Sequence, residues 1–283
     1  MALISLLSAK ASPGVSTSVA ALATLWPAPV LVVDADPAGG DLLSGWTGRW
    51  WVSGQLRSDS NVVSFATTTR HLDAVPAEAL VGHVQEVPEL EHVRLLAGVN
   101  RRRQTEAIGT EGWQRLANAA RDLANGEADV LVDLGRWEPG LPWPLLQASD
   151  LVLLGLRPTL RHLRTALPVV ETLRRDLPDQ PTKAAVLAST RPQTENLSEA
   201  LELPVALQLP EDRDSAFLLS DGLTPPPARV PRTRALFTAA RHAALHLREH
   251  EIPRPPQPQS TSDGCEGGVH PLQHEAVRRE WSA

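Results

Sequence analysis

Residues 2–41 read ALISLLSAKASPGVSTSVAALATLWPAPVLVVDADPAGGD, with two short apolar runs on either side of a loop and an alanine-rich segment. The runs at 3–7 and 30–33 have the length and composition of buried strands, and the segment from Ser16 to Pro27 carries apolar residues at helical spacing. Strand, loop, helix and strand in this order indicate a parallel α/β unit. Ligands bind at the carboxyl ends of such strands, and the free N–H groups of a helix N-terminus suit a phosphate.

The loop between the first strand and the first helix departs from the phosphate-loop pattern G-x-x-x-x-G-K-[ST]. Gly14 and Ser16 stand where the second glycine and the Ser/Thr belong, but Ala9 replaces the first glycine and Val15 the lysine. Lys10 lies upstream in the same loop. The residues also allow a simpler interpretation, in which Gly14 makes a turn, Ser16 caps the helix and Lys10 is a surface lysine.

Aspartates stand at the ends of two predicted apolar strands. Asp34 and Asp36 follow the second apolar run, and Asp133 follows the run Val130-Leu131-Val132. The carboxyl ends of parallel strands share one edge of the sheet, so these three acids are expected to converge. Each alone is also compatible with simple turn chemistry at a strand end.

The loop and the aspartate pair together resemble the deviant phosphate loop K-G-G-x-G-K-[ST]-T and the following acids of the MinD/ParA ATPases. Asp133 then resembles the Walker B aspartate of that family, and the resemblance covers roughly residues 1–250. It implies a doubly wound, mostly parallel sheet with helices on both faces, and ATP with Mg²⁺ as cofactors.

The resemblance also implies roles for individual residues. Lys10 would correspond to the family's signature lysine, which reaches the nucleotide phosphates of a dimer partner. Asp36 would position the attacking water, while Ser16, Asp34 and Asp133 would hold the Mg²⁺ shell. The nucleotide loop would comprise Lys10, Gly14, Val15, Ser16 and Thr17.

Val15 is the main departure from the family pattern, because the lysine it replaces neutralises phosphate charge. Ala11 and Ser12 also replace glycines, and Pro13 removes one N–H from the loop. These changes predict weak ATP binding or slow hydrolysis. Degenerate family members exist, and the TadZ/CpaE-like pilus-localisation proteins act mainly as positioning scaffolds.

Three functions remain open from the sequence. The first is a nucleotide-dependent positioning protein that forms a homodimer and locates a cargo such as a secretion or pilus component, the septum or DNA. The second is a scaffold with the same fold and no nucleotide. The third is a DNA-partitioning protein, for which the candidate contacts are Arg101, Arg102, Arg103, Arg232, Arg234 and Arg241. The net charge of −6 favours a solvated surface for these arginines instead.

Composition sets the remaining expectations. At 283 residues with 42% hydrophobic content, the chain predicts one large domain at 1–250 and a disordered Pro/Ser/Gly-rich tail at 251–283. A single cysteine, no signal-peptide pattern and no long apolar run predict a cytoplasmic protein without a transmembrane segment. Trp46, Trp50 and Trp51 are expected to cover the core rather than to form a partner surface.

Apolar periodicity predicts the remaining elements in alternation. The expected strands span 93–98, 128–135, 151–156 and 183–188, and the expected helices span 110–125, 160–175 and 232–248.

Overall fold

The computed structural model describes residues 1–10, 14–126, 128–190, 195–225, 229–230 and 233–251. Ala11, Ser12, Pro13, Arg232 and the predicted tail from Ile252 onward lie outside the described residues. Eight strands form one sheet: β1 (Leu3–Ser8), β2 (Val30–Asp34), β3 (Gln85–Glu86), β4 (Val93–Leu96), β5 (Asp129–Arg136), β6 (Leu151–Leu156), β7 (Thr182–Ser189) and β8 (Val205–Pro210).

The strand order is β3-β4-β2-β5-β1-β6-β7-β8, and every pairing except that of β3 with β4 is parallel. β1 lies in the middle of the sheet between β5 and β6, so the loop that follows it opens at the centre of one sheet edge. The predicted doubly wound, mostly parallel α/β fold is confirmed.

Helices cover both faces of the sheet. They are α1 (Val15–Thr24), α2 (Gly48–Val52), α3 (Val62–Thr68), α4 (Arg102–Ala124), α5 (Trp143–Gln147), α6 (Leu160–Asp176), α7 (Glu195–Leu201), α8 (Arg213–Ser220) and α9 (Ala235–His246). Two buried clusters hold the layers together, one containing α4 and α6 and the other containing α1 and α9. Alternate residues of β1 enter the two clusters, with Leu3 and Leu7 on one side and Ile4 and Leu6 on the other.

Some element boundaries differ from the sequence-based expectation. α4 begins at Arg102 rather than near position 110, because two helical pieces join across a kink where Gly109 has φ 64°. The last helix begins at Ala235, and a π-helical turn at 247–251 follows it. Trp46 and Trp50 are buried as predicted, whereas Trp51 is 40% exposed.

Among the described residues, none of the helices combines the length and the apolar character needed to cross a bilayer.

Candidate functional site

The N-terminus of α1 faces the central edge of the sheet, directly after the loop. Gly14 is its N-cap residue, with φ 102° and no side chain to cap the helix. The simpler interpretation of Ser16 as the cap is therefore wrong, and Ser16 and Thr17 lie in the first helical turn, half-buried. The amides at the start of α1 have no side-chain cap, which leaves the positive end of the helix dipole open to an anion.

Val15 directs its side chain into the core. It is 5% exposed and belongs to the cluster formed by α1 and α9 with the sheet. A β-carbon built on Gly155 of β6 would lie 3.2 Å from Cγ2 of Val15, so β6 and α1 are in close contact there. The position that carries a phosphate-binding lysine in the MinD/ParA pattern is thus used here for packing.

Asp34, the last residue of β2, and Asp133, in the second half of β5, lie side by side as direct register partners. Both are fully buried. One oxygen of Asp34 accepts a hydrogen bond from the Leu42 amide at 3.1 Å, and one oxygen of Asp133 accepts from the Gly135 amide at 2.9 Å. Asp34 Oδ1 and Asp133 Oδ2 have no hydrogen-bond partner among the described residues.

The electrostatics of this pair follow from its burial. Desolvation raises the pKa of Asp133 to about 7, and the Ser16 hydroxyl and the Gly135 amide, which face its carboxylate, act against the rise. Desolvation and then the charge of Asp133 raise the pKa of Asp34 well above its usual value. Two adjacent buried carboxyl groups with unpaired oxygens favour a bound cation or proton.

The space for the Asp34 carboxyl group depends on two glycines. A β-carbon on Gly40 would lie 2.3 Å from Asp34 Oδ2, and one on Gly98 would lie 2.7 Å from its Cγ. Neither position tolerates a side chain, so the chain closes tightly around this carboxylate.

Asp36 lies at the mouth of the same site and is half-buried. Its Oδ1 accepts a hydrogen bond from the Ala38 amide at 2.8 Å. Desolvation raises its pKa, Glu138 and Asp41 add to the rise, and the Ala38 amide and Arg136 oppose it. The sheet edge therefore brings Asp34, Asp36 and Asp133 together, as the sequence predicts.

A cleft of about 320 Å³ opens at Asp36, and we call it the loop cleft; the buried Asp34 and Asp133 do not line it. Its lining residues are Ser8, Gly14, Val15, Ser16, Thr17, Asp36, Ala38, Gly39, Asp41, Gly135 and Arg136. Lys10 is exposed and does not line the loop cleft, so the structure does not bring it to the other predicted site residues.

A second cavity of about 190 Å³, which we call the side pocket, shares Gly14 and Thr17 with the loop cleft. Its other lining residues are Ser18, Arg157, Ala188, Leu209, Pro210, Glu211, Asp212, Arg213, Ala216 and Leu236. It extends from the start of α1 along the ends of β7 and β8, so the two cavities are neighbours on the same sheet edge.

The residues at this edge fit Mg²⁺ only together with a phosphate ligand. In the described part of the chain, no cluster of three or more His, Cys, Asp or Glu side chains could hold a metal ion. Protein-bound Mg²⁺, however, commonly takes one or two carboxylates together with waters and substrate phosphates. The unpaired oxygens of Asp34 and Asp133, together with the Ser16 hydroxyl that faces Asp133, match that smaller contribution.

Sequence reasoning missed Asp41 and Arg136 as residues of the loop cleft. Arg136 comes three positions after Asp133, but an irregularity in β5 brings it to the cleft. Asp41 closes the stretch that follows the aspartate pair, and its place in the cleft depends on a loop path that no local pattern predicts.

The arginines considered for DNA binding differ in their contacts and in their exposure. Arg102 forms an ion pair with Glu138 at 2.9 Å, and Arg234 lies 3.6 Å from Asp214. Arg101 and Arg103 are exposed near the start of α4, Arg241 is half-buried on α9, and Arg232 lies outside the described residues.

No protein-family model matches the sequence, and no curated protein matches it. Several solved structures share its fold. A ParA family ATPase from Chlorobium tepidum superposes with a TM-score of 0.67 at 18% identity, covering 87% of this chain and 99% of that one. A putative plasmid partition protein from Borrelia burgdorferi bound to AMPPNP gives 0.67 at 15% identity, covering 88% and 98%.

The septum site-determining protein MinD from Pyrococcus horikoshii, complexed with Mg-ADP, gives a TM-score of 0.60 at 15% identity, covering 87% of this chain and 95% of that one. The three similarities extend over most of both chains, and the strand order places the loop after β1 at the centre of the sheet edge. The chain therefore has the MinD/ParA-like phosphate-loop fold.

Proposed function

We propose that this chain is a nucleotide-binding positioning protein of the MinD/ParA type, with weak ATP binding or very slow hydrolysis. The observation that carries the proposal is the start of α1, where an uncapped helix N-terminus lines the loop cleft and Ser16 faces the buried Asp133 beside Asp34, while a core-packed valine occupies the lysine position. The cleft keeps the elements that bind phosphate and Mg²⁺ but lacks the usual loop cation.

Each residue of the site has a separate role in this proposal. The backbone of Gly14, Ser16 and Thr17 would surround the phosphates, and the Ser16 hydroxyl would join Asp34 and Asp133 around Mg²⁺. Asp36 at the cleft mouth would orient water. Lys10, which is exposed, would act on the nucleotide of a second copy in a homodimer.

The side pocket supports a nucleotide rather than an isolated phosphate. It adjoins the phosphate-facing start of α1 and contains apolar groups from Leu209, Pro210 and Leu236 beside polar groups from Arg157 and Asp212. Such a mixture suits a base and sugar, because ligand pockets combine apolar walls with a few placed polar groups.

The cellular role, the compartment and the cargo are also part of the proposal. The structural neighbours include a MinD bound to Mg-ADP and a plasmid partition protein bound to AMPPNP, which supports a nucleotide-dependent positioning or partitioning role. The altered loop favours a degenerate, TadZ/CpaE-like member acting in the cytoplasm on a protein cargo such as a secretion or pilus component. DNA partitioning has less support, because Arg102 and Arg234 face acidic partners. A DNA shift assay at several salt concentrations tests that alternative.

Calorimetric titration of Mg-ATP into the wild type, Val15→Lys and Lys10→Ala, with phosphate release measured in parallel, tests the proposal. We expect weak binding and slow release in the wild type, and tighter binding in Val15→Lys because a cation returns to the loop. Lys10→Ala should abolish ATP-dependent dimerisation, measured by light scattering. Val15→Met is the matched control, since it lengthens the side chain at this packed position without adding charge.

Two results would contradict parts of this proposal. Wild-type turnover at ordinary ATPase rates that Lys10→Ala leaves unchanged would contradict the degenerate site. Failure of every variant to bind nucleotide would leave the second function, a nucleotide-free scaffold.

A further inference from the structure

Arg136 is brought to the loop cleft by an irregularity in β5. Strand β1 pairs with β5 at Leu6 and Asp133, but the next pair is Ser8 with Arg136, so β5 carries one extra residue. A bulge of this kind re-aims a side chain and is common beside functional sites. Ser8 ends β1, which places Arg136 directly beside the start of the loop.

Backbone contacts fix this position. The Ser8 carbonyl oxygen accepts a hydrogen bond from the Trp137 amide at 2.7 Å, and the Ser8 hydroxyl donates to the Gly135 carbonyl oxygen at 3.3 Å. Gly135 itself has φ 61°, and a β-carbon built on it would lie 2.0 Å from Asp36 Oδ2. Arg136 therefore extends from a well-anchored backbone rather than from a loose loop.

The guanidinium group of Arg136 is available to a ligand. Its side chain is exposed, and it forms no ion pair with any described residue. Arg136 opposes the rise in the pKa of Asp36, so the two side chains act on each other through charge alone. Within the described part of the chain, Arg136 is the one cationic residue that lines the loop cleft, where Asp36 and Asp41 are the other charged lining groups.

The loop puts no cation into the cleft, because the Val15 side chain is packed into the core and the exposed Lys10 does not line the cleft. We propose that Arg136 supplies, from the same chain, the positive charge that contacts the nucleotide phosphates in place of the missing loop lysine. The inference rests on the proposed nucleotide-binding function and adds to it a specific phosphate-binding residue. Arginine suits this role because its planar group donates several hydrogen bonds to phosphate oxygens.

Titrations of Mg-ATP and of adenosine into the wild type, Arg136→Gln and Arg136→Lys test this assignment. Loss of a charge-assisted contact should weaken Mg-ATP binding by about 10- to 100-fold in Arg136→Gln. Adenosine binding should stay unchanged because adenosine has no phosphate, and Arg136→Lys should recover part of the affinity for Mg-ATP. Arg164→Gln, an exposed arginine of α6 outside both cavities, is the matched control.

The outcomes separate the two proposals. If the wild type binds Mg-ATP and Arg136→Gln binds it equally well, or if adenosine binding falls by the same factor, the role of Arg136 is refuted and nucleotide binding stands. If the wild type binds neither Mg-ATP nor adenosine, both proposals fail. Circular dichroism and thermal melting of each variant establish that an affinity change is not a folding defect.

Discussion

Asp133 combines complete burial with an unpaired carboxylate oxygen, and this makes the stability of the nucleotide-free protein depend on pH. Its pKa is about 7 in the folded chain, above the ordinary value of 3.8. The folded state therefore binds the proton more tightly than the unfolded state does. The stability from this group is present below the ordinary pKa and is lost as pH rises through the folded pKa.

We expect the melting temperature of the wild type to fall by more than that of Asp133→Asn when pH is raised from about 5 to about 8, because the amide cannot ionise. Thermal melting at several pH values without nucleotide measures the difference. Asp73→Asn, an exposed control, should follow the wild-type curve. Parallel curves for the wild type and Asp133→Asn would mean that Asp133 does not titrate in this range.

At the scale of single elements, β5 ends in a bulge, and Gly135 in that bulge lies against Asp36 of the site. A β-carbon at this position would lie 2.0 Å from Asp36 Oδ2, in addition to the strain of φ 61°. Backbone strain at one residue costs about 1–3 kcal/mol. We expect Gly135→Ala to lower the free energy of unfolding by this amount and by a further amount from the clash with Asp36. Denaturant titration measures the loss.

Gly54→Ala is the matched control for the backbone strain alone. Gly54 has φ 78°, and a β-carbon there would meet nothing within 4 Å. Gly135→Ala should therefore cost clearly more than Gly54→Ala. An equal loss in the free energy of unfolding for the two variants would mean that the Asp36 side chain moves away from the new β-carbon without cost.

The sequence predicted the central strands well because each is a short apolar run buried on both faces, as in β2 and β6. Asp34 and Asp133 could be placed together because parallel strands end at one edge. Arg136 could not be placed, because one extra residue in β5 decides its direction and no periodicity reveals a bulge. The start of α4 was missed since Gly109 interrupts the helical pattern.

At the scale of the whole molecule, Asp129 ties the two ends of the described chain together at the amino-terminal edge of the sheet. This buried carboxylate accepts hydrogen bonds from the Ala2 amide at 2.9 Å, Trp26 Nε1 at 2.9 Å and Arg248 Nε at 3.0 Å. Arg248 belongs to the π-helical turn, whose last residue, Glu251, forms an ion pair with Lys183. The turn after α9 is thus attached to β5 and β7 by these contacts.

Two truncations locate the end of the folded unit. The chain that stops after Glu251 loses only residues 252–283, whose Pro/Gln/Ser/Gly composition cannot bury much apolar surface, so its melting temperature should match that of the full chain. The chain that stops after His246 also loses buried Leu247 and the contacts of Arg248 and Glu251. Its melting temperature should fall by about 5 °C or more.

The variant Arg248→Gln in the full chain separates the hydrogen bond to Asp129 from the loss of the turn as a whole. It should lower the melting temperature by less than the truncation after His246, because Leu247 and Glu251 keep their contacts. Differential scanning calorimetry of the four proteins gives the comparison. A fall of many degrees on removal of residues 252–283 alone would show instead that the tail packs against the domain, and the domain would then extend beyond Glu251.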